Sequence, residues 1–134
     1  MKNVIYYSLT IKTSMESSKV SKGAVVYART APEGKVVDEL KKQERVCNIF
    51  ANTLNMKVLK SFRDVSSGTS LQRPGFQDLL SFCEDNAEKV GAIIITDREC
   101  LMIDVSDYFE LGEMLGEYGV EIICLDKSFS EEVV

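Results

Sequence analysis

Three arginines and two aspartates carry most of the chemical potential of this sequence. Arg29 follows one apolar run, Asp97-Arg98 follow another, Arg73 stands just ahead of a helical pattern, and Asp64 leads into the hydroxyl-rich stretch Ser66-Ser67-Gly68-Thr69-Ser70. Guanidinium forks match tetrahedral oxyanions bidentately, so these groups, once brought together, suit an anionic, phosphate-bearing ligand. The competing reading is that Arg29, Arg73 and Arg98 only neutralise Asp64 and Asp97 as surface ion pairs, which are common and weak. There is no histidine, which removes the commonest general base and leaves carboxylates, arginines, hydroxyls and thiols for any chemistry. A nucleotide loop lacks support: neither GxGxxG nor GxxxxGKS/T occurs, and the turn Arg29-Thr30-Ala31-Pro32 has no glycine before Gly34. A phospho-acceptor receiver domain would need clustered carboxylates where only isolated aspartates stand.

The elements that must position these residues follow from hydrophobic patterning. Ala24-Val25-Val26-Tyr27-Ala28 has the continuous apolarity of a buried strand, and after a turn at Pro32-Glu33-Gly34 the positions Val36, Leu40, Val46, Cys47, Phe50, Ala51 and Leu54 predict a helix over 36–54. Lys57 to Phe62 reads as a second strand running into the Asp64–Ser70 loop, and Pro74, Phe76, Leu79, Leu80 and Cys83 predict a second helix over 74–86. Gly91 to Thr96 is the clearest buried strand, followed by a helix over 104–118 and a strand over 120–125. The order β-α-β-α-β-α-β implies an α/β domain: three layers, a mostly parallel sheet of about four strands, and helices on both faces. In such sheets ligands collect beyond the carboxyl ends of the strands, where Arg29, Asp64, Ser67, Asp97 and Arg98 all fall, with Arg73 able to swing over the edge. Residues 1–23, a short β-like run at Val4-Ile5-Tyr6-Tyr7 and a serine-rich stretch, read as an extension ahead of a single domain at 24–134.

Composition narrows the class. With 134 residues, 45% hydrophobic and 28% charged, the chain can bury one sizeable core without staples. Cys47, Cys83, Cys100 and Cys124 are scattered singly among apolar neighbours with no CxxC pair, so they read as reduced core residues of a cytoplasmic protein, and neither a metal nor a cofactor is expected. Cys100 lies near the rim, but packing is the better reading for it than a thiol nucleophile with no base. A formal charge of −5 argues against holding nucleic acid by bulk electrostatics, leaving only a focused basic cluster. No apolar run approaches a membrane span, so no membrane partner is expected.

At this point the sequence resembles the N-terminal catalytic domain of the serine site-specific recombinases, the resolvases and invertases. The resemblance covers about residues 24 to 126. The family's tyrosine-x-arginine-x-serine motif stands here as Tyr27-Ala28-Arg29-Thr30-Ala31, with the expected helix glutamine at Gln43. The block Asp64-Val65-Ser66-Ser67-Gly68 with Arg73-Pro74-Gly75-Phe76 and Leu79-Leu80 is nearly complete, and Asp97-Arg98-Glu99-Cys100-Leu101 matches the third motif in part.

The resemblance implies DNA strand cleavage and rejoining through a phosphoserine link, in the setting of a mobile element. It implies that Arg29, Arg73 and Arg98 contact the phosphate, that Asp97 orients an arginine or assists proton movement, and that Tyr27, Gln43, Asp64, Ser67 and Gly68 support the site. Two positions depart: Ala31 occupies the nucleophile position, and Leu101 stands where a further arginine is expected. Thr30, Ser66, Ser67 and Thr69 are not read as substitutes, lying on another loop or facing the other way. The expectation is therefore an impaired, non-cleaving relative, with a non-catalytic oligomerisation or regulatory module as the alternative. The family's long helix and DNA reader would begin where this chain ends, so weak DNA affinity and at most self-association or pairing with a related recombinase are expected.

Overall fold

The computed structural model describes residues 6–8, 22–67, 72–96 and 105–125. Its elements in chain order are β1 (Tyr6–Ser8), β2 (Gly23–Thr30), α1 (Val36–Thr53), β3 (Val58–Val65), α2 (Pro74–Asp85), β4 (Val90–Ile95), α3 (Val105–Glu117) and β5 (Glu121–Leu125). They build a five-stranded sheet in the order β1-β5-β4-β2-β3, in which β2, β3, β4 and β5 are parallel. The four-stranded parallel α/β core is the expected one.

Apolar runs become strands here because both faces of the sheet are covered. All six residues of β4 and the first six of β2 are buried. On one face α2 and α3 pack Phe76, Leu79, Cys83, Leu111 and Leu115 against Val25, Tyr27, Ile93 and Ile122. On the other, α1 packs Cys47, Phe50 and Ala51 against Ala24, Val26, Ala92 and Ile94. Right-handed crossovers explain the split. The chain moves from β2 outward to β3, then returns past β2 to β4 and on to β5. The reversal of direction puts α1 on one side and α2 with α3 on the other, and it creates the crevice where sheets of this type bind ligands, at the carboxyl ends of β2 and β4.

Three sequence expectations are corrected. The β-like run near the N-terminus is an antiparallel edge strand, with Tyr6 opposite Leu125 and Ser8 opposite Ile123, so part of the expected extension completes the sheet. The second parallel strand continues through Asp64 to Val65 instead of giving way to a loop, because backbone pairing with β2 persists to Thr30 opposite Val65. On α1 the polar Gln43 is buried and the apolar Val46 is 39% exposed, the reverse of their hydropathy. Cys47, Cys83 and Cys124 are buried free thiols as read, while Cys100 lies outside the described residues.

Burial has a measurable electrostatic consequence. It pushes the Cys83 thiol up to about 12, and it raises the Tyr27 phenol above its ordinary range, an effect that the Asp64 carboxylate reinforces and Arg73 opposes. Groups with raised folded-state values stabilise the fold fully below their unfolded values, about 8.5 for a thiol and about 10 for a phenol, and lose that contribution as pH climbs toward the folded values. The urea midpoint should therefore hold steady to roughly pH 8.5 and fall between roughly pH 9 and 11, with Cys83→Ala removing part of the slope. A midpoint unchanged across that window would contradict this account.

Candidate functional site

The site begins where β2 outruns its neighbour. Pairing of β2 with β4 stops at Val26 opposite Ile94, while pairing with β3 continues to the end of the strand. Beyond that stop the inner edge of β2 has no strand partner among the described residues, and a buried backbone group without a partner is costly. Gln43 supplies one from α1. Its Oε1 accepts from the Arg29 N–H at 3.0 Å, and its Nε2 donates to the Arg29 carbonyl at 3.0 Å and to Glu39 Oε2 at 3.1 Å. The amide does for Arg29 what the next strand would have done. This is why a polar residue occupies the inner face of α1, and it fixes the backbone two residues ahead of Ala31.

The Arg29 side chain shares the α2 face of the sheet with Tyr27, Phe62 and Asp64, since alternate residues of a strand share a face and Arg29 is in register with Asp64. Its guanidinium donates to the Ser66 carbonyl, tying the end of β2 to the segment after β3.

Asp64 is the hub beneath. It is 7% exposed, and its carboxylate accepts from the Gly75 N–H, the Phe76 N–H and the Tyr27 hydroxyl, each at 2.8 Å. The residue at the N-cap position of α2, Arg73, makes no side-chain cap bond. Asp64 caps the helix from the neighbouring strand instead, with its charge at the positive end of the helix dipole. Gly75 permits this close approach: a Cβ there would lie 2.1 Å from the Arg63 carbonyl oxygen. Arg73, only 3% exposed, donates to the Tyr27 hydroxyl at 3.2 Å, so that one phenol bridges a buried cation and a buried anion. The Tyr27 ring meets Phe76 edge-on at 5.2 Å.

This arrangement revises two readings. Arg73 is not an exposed arm at the rim but a buried one, and neither it nor Asp64 belongs to a surface ion pair. A surface pair does form nearby, between Arg63 and Glu44, with bonds of 2.7 and 2.9 Å. Of the other expected site residues, Ala31 is half-buried directly after β2 and Ser67 is exposed after β3. Gly68, Asp97, Arg98 and Leu101 lie outside the described residues. Glu39 and the Ser66 carbonyl were not anticipated. The (i, i+4) spacing of Glu39 and Gln43 was a legible signal for the first, whereas nothing in a sequence marks a backbone acceptor. Among the described residues no group of three or more His, Cys, Asp or Glu is placed to hold a metal ion.

The fold built around β2 is shared with solved serine recombinase catalytic domains. The C-terminal catalytic domain of ISC1926 TnpA, an IS607-like serine recombinase, superposes with a TM-score of 0.67 at 27% identity, over 82% of this chain and 74% of that one. The N-terminal catalytic domain of TP901-1 integrase shares the fold with a TM-score of 0.66 at 20% identity, over 78% and 77% of the two chains. The first open reading frame of transposon ISC1904 from Sulfolobus solfataricus P2 gives 0.61 at 25% identity, over 78% and 68%. No curated protein sequence matches significantly. Residues 24–132 match the family described as resolvase, N terminal domain, and the chain belongs to that family.

Proposed function

We propose that this chain is a resolvase-family catalytic domain that presents a DNA phosphodiester to a site without a nucleophile. The observation that carries this reading is Ala31, placed immediately after the strand end that Gln43 clamps. A methyl group has no lone pair with which to attack phosphorus. In this reading Arg29 and Arg98 meet the phosphoryl oxygens from the rim, Arg73 adds positive charge from its buried position, and Asp97 orients a guanidinium. Tyr27, Gln43 and Asp64 hold the end of β2 and the start of α2 in place, and Ser67 with Gly68 shapes the loop between them. DNA as the substrate makes the cytoplasm the compartment and a mobile element the setting. The missing hydroxyl also suits a non-catalytic module that pairs with a related, active recombinase.

Incubation with supercoiled plasmids carrying candidate crossover sites tests the first reading. We expect no protein–DNA adduct that survives denaturant. Such an adduct from the unaltered chain would overturn the assignment of Ala31 to the nucleophile position. Stimulation of a related recombinase by this chain, without an adduct of its own, would select the pairing role.

A further inference from the structure

Among the described residues the exposed charges of the helices are sorted by side. Residues 1–67 hold 12 of the chain's 16 Lys and Arg but only 6 of its 21 Asp and Glu. Among the described residues the topology turns part of that bias into geometry, because α1 covers one face of the sheet and α2 with α3 the other, although Lys60, over the Phe62 and Phe82 rings, stands on the α2 side. On the α2–α3 side, Asp78, Glu84, Asp85, Glu110, Glu113 and Glu117 are all exposed. On the α1 side, Lys35, Lys41, Lys42 and Arg45 are exposed cations, and Arg63 is a further one held by Glu44. Two anions share that side, Glu33 and Asp38, while Glu44 is engaged by Arg63 and Glu39 by Gln43.

Lys41, Lys42 and Arg45 lie within about 100° of one another around the helix, opposite the stripe formed by Leu40, Cys47 and Ala51. The Lys41 and Arg45 pair sets like charges at (i, i+4), which weakens a helix slightly, and Asp38, at (i, i+3) and (i, i+4) ahead of Lys41 and Lys42, offsets part of that repulsion. The row leads away from the candidate site with Asp38 set among its cations: Lys35 precedes α1 at the rim, and the other three follow along its first half. From Lys35 to Arg45 the rise is about 15 Å, the length occupied by about four charges of one DNA strand at about 3.4 Å each.

We propose that duplex DNA engaged at the rim lies toward the α1 side, its backbone running along Lys35, Lys41, Lys42 and Arg45, while the acidic α2–α3 face keeps it from the opposite side. This rests on the reading of the rim as a phosphodiester site and adds the direction in which the duplex leaves it. It also reconciles DNA engagement with a formal charge of −5. Among the described residues, most of the exposed acidic charge of the helices lies on the face turned away from the duplex.

The test is fluorescence anisotropy of a labelled duplex with the full chain, titrated at several salt concentrations from roughly 50 mM upward. Lys42→Glu and Lys89→Glu change the net charge equally, but Lys89 lies between α2 and β4. We expect Lys42→Glu to weaken binding roughly tenfold at the lowest salt and Lys41→Gln/Arg45→Gln to lower the salt slope by about 2, with Lys89→Glu changing Kd less than about twofold. Circular dichroism should show α1 retained in each variant. Equal losses from Lys42→Glu and Lys89→Glu would overturn the proposal in favour of net charge alone. Self-association abolished both by Lys42→Glu and by Glu113→Lys would reassign the row to a second copy of the chain. If Ala31→Ser forms a covalent DNA adduct while Lys42→Glu leaves affinity unchanged, only the α1 track fails. If the unaltered chain binds no duplex even at the lowest salt, the phosphodiester reading of the rim fails with it.

Discussion

Replacing Asp64 by alanine is expected to cost the domain about 3 kcal/mol or more, lowering its melting temperature by roughly 10 °C. Few single changes would remove as much at once. The carboxylate accepts both the Gly75 and Phe76 N–H groups and the Tyr27 hydroxyl, and its own charge faces the buried cation of Arg73 through that hydroxyl. Alanine would leave two donors at the start of α2 unsatisfied in a place where water has little access, and would remove the anion that faces Arg73 through the Tyr27 hydroxyl. Each buried donor left unmade costs about 1 to 3 kcal/mol. Tyr27→Phe provides the contrast. It keeps the edge-on packing with Phe76 and both backbone bonds to Asp64, and removes only the bridging hydroxyl, for an expected loss of about 1 to 2 kcal/mol. Thermal melts of the two variants decide the matter. If Tyr27→Phe is as damaging as Asp64→Ala, the hydroxyl and not the helix cap is the centre of this junction.

That junction also shows what a linear reading can and cannot supply. β2, β4 and the inner face of α2 are legible because burial selects apolar residues with the period of the element they occupy. Asp64 was assigned to a loop because aspartate followed by serines and glycine is the chemistry of turns. It stays in the strand because its carboxylate is consumed by a helix that begins ten residues later, a tertiary demand with no local signature. The exchange of Gln43 for Val46 on the buried side of α1 has the same origin, since an inward amide makes sense only once β4 is seen to end before β2. The strand at Tyr6–Ser8 had a recognisable composition, but its pairing with Ile123 to Leu125 closes almost the whole length of the chain and could not be inferred from either segment. Arg73 is expected at the rim and lies buried beside Tyr27 instead, because nothing local in the sequence signals its depth.

Ala31→Ser together with Leu101→Arg is expected to convert a chain that forms no DNA adduct into one that does. Position 31 is half-buried at the end of a strand whose backbone is already held by Gln43, so one added oxygen needs no repacking. In the expected step the new Oγ–P bond forms as the bond from phosphorus to the oxygen of the departing strand breaks, and the hydroxyl proton passes by way of solvent to the departing oxygen. The rim arginines meet the charge that accumulates on the phosphoryl oxygens meanwhile. Ala31→Ser alone should give only a trace of adduct, because the additional guanidinium that the family pattern sets at position 101 is still missing. The double variant should give clearly more, and fusion to a DNA-binding segment more again by raising the local concentration of duplex. A labelled duplex run through a denaturing gel reads out each case. Arg29→Lys in the double variant supplies the control for mechanism: it keeps a positive charge but loses the planar fork, and should reduce adduct formation roughly a hundredfold while melting close to its parent. If the double variant binds duplex along α1 and yet forms no adduct, the scissile phosphate is not delivered to the end of β2. The fold would then serve pairing rather than strand exchange.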